Sequence, residues 1–395
     1  MKTIFTGMII LLTTITLSSC KPKAYVENIK DPIKISKKIN TYNDIAKFIA
    51  GVPVSKSSKL HPYTQLIKYM KYKSKMEKSW KSFTTINISN MLKWRKKQLP
   101  KNYNKTIFYP FSGPDILHGT VFYPNGTDFI MFGLEPTGPI PNPLALPTKK
   151  ILHHLKGLPI ALNFILRHNF FVTKDMQKEI GATNYSSITG VLMFFLARRG
   201  YTIHDIKSIT IEKGKLLNKK TTRLQVKKFK TIIPGVEIIF STNNDDYRRL
   251  RYFSLDIANN SKQVDNFISY VSLYPQTSTI IKSASYLMHL KMFSKIRNVI
   301  LQKSNYILQD DSGIPYRFFK NKNNWKVSYH GKYHKPITPF KYFLQKDLKN
   351  AISKHTTGKL PFRYGYGYGY KTITYHVIFA TKHNSNKQLN DSNKK

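Results

Sequence analysis

Thr106 to Pro136 reads TIFYPFSGPDILHGTVFYPNGTDFIMFGLEP, and the rest of the chain is best read outward from it. Thr106 to Phe111 is an apolar run with strand character, followed by the turn residues Ser112, Gly113, Pro114 and Asp115 and then by Ile116, Leu117 and Val121 at helical spacing. A second apolar run, Phe129 to Leu134, closes on Glu135 and Pro136. The gap between the runs exceeds the roughly 10 to 12 residues that a crossover between parallel strands needs. A βαβ unit is therefore expected, and with it an α/β fold, a mixed α+β arrangement being the alternative. In such sheets ligands sit outside the carboxyl ends of the strands, which would bring Ser112, Asp115 and Glu135 to one rim.

The chain of 395 residues is long enough to bury a core without staples, and its one cysteine excludes an internal disulfide. Its 65 Lys and Arg against 20 Asp and Glu give a formal charge of +45. Such a surface attracts anionic glycan, lipid or nucleic acid. No arginine-aromatic RNA-binding signature is present, which argues against nucleic acid. Lysine-rich composition throughout offers a plainer source of the charge.

At the amino terminus Lys2 precedes an apolar run from Ile4 to Leu17, the pattern of a secretory signal peptide. Leu17-Ser18-Ser19-Cys20 resembles the lipobox of bacterial lipoproteins. That resemblance implies cleavage before Cys20, lipidation of its thiol and attachment to a membrane. Lys21 in place of Asp implies outer-membrane sorting where two membranes exist. Export also argues against NAD, ATP or S-adenosylmethionine as ligands, so no cofactor is expected.

Residues 20–40 read as anchor and tether, 41–382 as one large domain and 383–395 as a polar tail. Thr41 to Ala50, Pro62 to Phe83 and Ser89 to Leu99 have helical spacing, the last two on lysine-rich backgrounds that suit either a core-facing stripe or a membrane surface. Four prolines in Thr137 to Pro147 predict a loop, and Pro159 predicts a break in the helix that follows. Ser187 to Arg199 reads as a buried helix stopped by Gly200. From Ile206 to Ile257 short β-branched runs predict an antiparallel meander, turned at Asn243 to Asp246, with Lys227, Lys228, Arg248, Arg249 and Arg251 on its wet side or at strand ends. Helical spacing returns over Val264 to Tyr274, Thr279 to Leu290 and Phe293 to Leu301, Asn305 to Phe319 reads as strand, turn and strand, and Tyr364 to Tyr370 alternates Tyr with Gly.

The motifs of serine hydrolases, phosphate-loop proteins and zinc peptidases are absent from the sequence. Four weaker constellations remain. Ser112, Asp115 and His118 suit nucleophilic or proton-transfer chemistry, though Ser112 as helix cap with Asp115 in the first turn accounts for most of the motif. Glu135 ends its strand where nucleotide-binding sheets hold a ribose, or it pairs with a cation. Asp310 and Asp311, with Arg317 for an anionic substrate, suit metal binding, acid-base work or simply a tight turn. His153-His154 and His330/His334 lack the companions of a metal site, and none is expected.

At YPFSGPD, GLEP, SASYLMH and LQDDSGIPYR the chain resembles a set of uncharacterised bacterial exported proteins of similar length. That resemblance implies no activity but groups Ser112, Asp115, Asp310, Asp311 and Arg317. Two functions are thus expected as alternatives: an anchored envelope protein binding anionic glycan or lipid, or an envelope-acting hydrolase or transferase.

Overall fold

The structure, a computed structural model, describes residues 33, 41–170, 184–219, 225, 230–242, 246–320, 324–356, 358–367 and 375–383. Cys20 and the signal segment, most of the tether, Lys227, Lys228, the 243–245 turn and the tail from 384 lie outside the described residues.

The βαβ unit is present. Strand β1 (Thr106–Tyr109), helix α4 (Ile116–Phe122) and strand β2 (Asp128–Gly133) follow one another, and β1 runs parallel to β2 with Thr106 beside Asp128 and Tyr109 beside Met131. At seven residues α4 is too short to persist alone in water, but every one of its residues is buried, so packing holds it.

Around this unit one sheet of ten strands forms. In chain order the others are β3 (Thr202–Glu212), β4 (Lys215–Leu217), β5 (Ile233–Ser241), β6 (Tyr247–Ser254), β7 (Thr277–Ile281), β8 (Ser304–Gln309), β9 (Trp325–Gly331) and β10 (His376–Lys382). Across the sheet the order is β4-β3-β5-β6-β2-β1-β7-β8-β10-β9. The expected meander is there as β3 to β6, and its last strand joins the parallel centre by pairing with β2. The central strands β6, β2, β1, β7 and β8 are all parallel. After β1 the chain builds outward on one side through β2, then returns to place β7 on the other. The gap between β1 and β7 is therefore a topological switch point, the position at which a crevice opens in such sheets.

Helices cover both faces. Alternation along the strands sends Ile107, Tyr109, Phe129 and Met131 to one core and Phe108, Ile130 and Phe132 to the other. The first core is closed by α1 (Thr41–Ala50), α2 (Ile67–Phe83), α3 (Ser89–Gln98), α4, α5 (Thr148–Ala161), α6 (Asn163–His168) and α7 (Ile188–Arg198). The second is closed by α8 (Val264–Ser272), α9 (Ser294–Lys303), the short α10 (Arg317–Lys320) and α11 (Lys346–His355). Among the described residues no helix is long and apolar enough to cross a membrane.

Four local expectations are corrected. The stretch expected to start a helix at Thr279 is instead strand β7, since its Thr and Ile residues pair with β1 on one side and β8 on the other. Arg248, Arg249 and Arg251 are buried rather than wet. Glu237 stands directly across from Arg251 on β5, its carboxylate 2.7 Å from the guanidinium, and the hydroxyls of Tyr270 and Tyr274 accept further bonds. A buried arginine is tolerable with such partners. The segment after Asp311 does not return as a strand, because the Gln309 side chain bonds both backbone groups of Ile314 and turns the chain into α10. Helix α5 passes through Pro159 and breaks only at Leu162.

Candidate functional site at the switch point

A pocket opens at the carboxyl ends of β1, β2, β6 and β7. Ser112, Gly113 and Asp115 form one wall, Gly133, Leu134 and Glu135 a second, Leu255, Asp256 and Ile257 a third, and Lys282 to Ser285 a fourth. Phe111, Phe132, Phe170, Leu287 and Phe293 supply apolar surface. Convergent polar groups among aromatic walls are the usual make-up of a small-molecule site.

Backbone strain marks the same place. Of six described non-glycine residues with positive φ, Phe111, Ser283, Ser285 and Tyr286 stand just beyond β1 and β7. Each such residue costs about 1–3 kcal/mol and persists only where its surroundings over-determine it. Here the surroundings are the acidic pair after β8. Asp310 Oδ2 accepts the Ser283 N–H at 3.3 Å, Ser312 Oγ accepts the Ala284 N–H at 2.8 Å, and Asp311 Oδ2 accepts the Tyr286 hydroxyl at 2.5 Å. Asp310 is itself held by the Ser312 hydroxyl at 2.6 Å. A Cβ on Gly365 (φ +64°) would stand 2.0 Å from Asp310 Oδ2, so at least one glycine of the Tyr-Gly run is there to let the backbone cover this carboxylate. Burial and the neighbouring Asp311 push the Asp310 carboxyl up to about 6. The pair thus lies beneath the turn that lines the pocket, and neither residue is part of the pocket wall.

Asp115 and His118 meet as expected, but Ser112 does not join them. Asp115, not Ser112, caps α4, accepting the His118 N–H. Its carboxylate also receives His118 Nδ1 at 2.6 Å, the Tyr109 hydroxyl at 2.9 Å and Lys282 Nζ at 2.6 Å. His118 Nε2 is taken by Asn169 Oδ1 at 2.8 Å, and Lys282 also donates to the Asn169 carbonyl at 2.5 Å. Burial pushes the Asp115 carboxyl up, but His118 and Lys282 outweigh it and hold it at about 2. Burial lowers the His118 ring, and it lowers Lys282 against the pull of Asp115. The Ser112 hydroxyl bonds the Gly113 carbonyl at 3.0 Å. Both His118 nitrogens are engaged elsewhere, so that imidazole is not hydrogen-bonded to the Ser112 hydroxyl.

Glu135 presents the opposite situation. It is 6% exposed, yet its carboxylate has no cation beside it and accepts only from its own backbone N–H among the described residues. Burial raises its pKa. A Cβ at Gly133 would meet Glu135 Oε2 at 2.7 Å, so glycine there lets the carboxylate fold back over the end of β2. The expected cation partner is not found among the described residues; Lys282, the ammonium in the pocket wall, is bound to Asp115.

Arg317 is corrected more fully. It is exposed at the start of α10 with its guanidinium over the Phe318 ring, and it does not line the pocket. Sequence reasoning missed Lys282, Ser283, Ser285, Asp256 and Asn169. The signals were the polar residues closing TSTIIK and LRYFSLD for Lys282 and Asp256 and the SASYLMH stretch for Ser283 and Ser285; nothing local pointed to Asn169. No family model, curated protein or solved structure matches the chain.

Proposed function

We propose that this is a lipid-anchored cell-envelope protein whose switch-point pocket binds a phosphate-free small molecule with adjacent hydroxyl groups, nucleosides being the favoured class. The observation that carries the ligand is Glu135, a buried carboxylate in the pocket wall at the end of the second parallel strand, with no cation beside it among the described residues. Burial without a counter-charge disfavours its ionised form, and hydroxyl donors from a ligand would offset that penalty. In doubly wound sheets an acidic residue at this position hydrogen-bonds ribose.

Phosphate is disfavoured by the first turn. The place where a nucleotide's phosphates approach a helix amino terminus is occupied here by the Asp115 carboxylate, and Pro114 removes one backbone donor. Neutral or cationic nucleosides avoid that repulsion, and the phenylalanines suit a flat ring. The anionic glycan or lipid expected from net charge fits the outer surface better than this pocket. An enzymatic use, as hydrolase or transferase, is the second reading. The strained 283–286 turn favours it, since such strain gathers at active sites.

Thermal unfolding with added ligand tests the pocket. Adenosine at a hundred times its Kd should stabilise the protein by about 2.7 kcal/mol, and Glu135→Gln should abolish the effect. Equal stabilisation by ATP or NAD, by hexoses alone, or in Glu135→Gln overturns it. The anchor is tested separately: Cys20→Ala should leave the membrane fraction in high salt, and retention there refutes lipidation.

A further inference from the structure

A second cleft, far in chemistry from the first, lies between α2 and the α5–α6 pair. Lys68, Lys71, Lys75 and Lys78 line it from α2, and Lys156 and Arg167 from the opposite wall. The four α2 lysines recur every three or four residues and so form one stripe. Among the described residues no carboxylate lines the cleft. Glu77, the one acid of α2, is turned to Arg198 at 2.5 Å. Cations gathered this way repel one another unless an anion covers them.

Apolar side chains stand among the lysines. Ile67 is 68% exposed and Met70 48% exposed on α2, and Ile160 is 53% exposed at the cleft wall. Soluble polyanions would leave these side chains in water. A bilayer takes both kinds of group, with lysines at the anionic headgroups and apolar side chains at the acyl boundary. The position of α2 in the fold is consistent. Its Tyr69 hydroxyl bonds the Phe48 carbonyl at 2.9 Å, and Tyr72 bonds that of Ile49, so α2 is fastened to α1, the helix that begins where the tether ends.

We infer that the α2 stripe and its cleft form a docking face for anionic lipid headgroups, laying this side of the molecule on the membrane. The inference extends the proposed envelope role and is independent of the pocket's ligand.

Vesicle sedimentation of the full chain carrying Cys20→Ala tests it. Phosphatidylcholine vesicles alone report any contribution of the apolar amino terminus, and the increment on adding phosphatidylglycerol reports the docking face. Each lysine near an anionic surface contributes about fivefold in affinity, so Lys68→Ala, Lys71→Ala and Lys75→Ala together should reduce the increment roughly a hundredfold. Ile67→Ser with Met70→Ser should weaken it further. As a control, Lys346, Lys349 and Lys354 of α11, on the opposite face, are changed to alanine. An equal loss in this control would mean diffuse charge and overturn the docking face. Overturning would also follow if the α2 variant kept vesicle binding while losing dextran sulfate, which would make the cleft a polyanion site.

Discussion

Asp115 and Glu135 stand at the ends of adjacent parallel strands, line the same pocket and are buried to nearly the same degree. One is surrounded by Tyr109, His118 and Lys282. The other has no charged companion among the described residues. Burial alone therefore does not distinguish a structural carboxylate from a binding one. What distinguishes them is whether the fold itself supplies the donors. Where it does, the group contributes to stability; where it does not, a buried charge is a standing cost that a ligand can relieve.

This contrast can be broken by experiment, most visibly at Asp115. Asp115→Ala leaves the Lys282 ammonium buried without its counter-charge, and breaking a pair of this kind typically costs about 3–5 kcal/mol. Urea denaturation should show a loss of that size. A loss under 1 kcal/mol would mean that water or a rearranged neighbour replaces the carboxylate.

The two acids should also respond to pH in opposite senses. The Asp115 pKa is depressed to about 2, so its contribution is present above the ordinary carboxylate value and is lost as pH falls through about 2. Asp115→Asn should therefore be most harmful near neutrality and less so in acid, by on the order of 2 kcal/mol. The Glu135 pKa is raised, so its contribution is present in acid and lost as pH rises through the folded value. Relative to the parent, Glu135→Gln should then improve as pH rises. Parallel slopes for the two variants in thermal unfolding would remove the distinction.

The smallest effect sharpens the comparison most. At neutral pH Glu135→Gln should change stability by less than about 0.5 kcal/mol, or raise it slightly, while abolishing ligand stabilisation. A large destabilisation would show that Glu135 has a structural task after all.

Much of the rim was legible because it is built from local signals. Short apolar runs closed by polar residues identify β1 and β2, and the same pattern placed Ser112, Asp115 and Glu135 at their ends. The reading failed where a partner comes from far along the chain. The sequence places Arg251 on the wet side or at a strand end, because Glu237 faces it only once β5 and β6 pair. Asp310 and Asp311 were read as a hairpin or a catalytic pair. Their task of holding the strained turn after β7 depends on β7 and β8 lying side by side.

Hydrophobic periodicity and turn chemistry act over a few residues, and they were enough to determine the α/β class, the βαβ unit, the meander and most helices. Strand order is a different matter. That β7 returns to the far side of β1, bringing Lys282 to Asp115 rather than to Glu135, follows from how two hydrophobic cores close over one sheet. Those contacts are set by packing between distant segments, and only the tertiary structure decides which charges they satisfy.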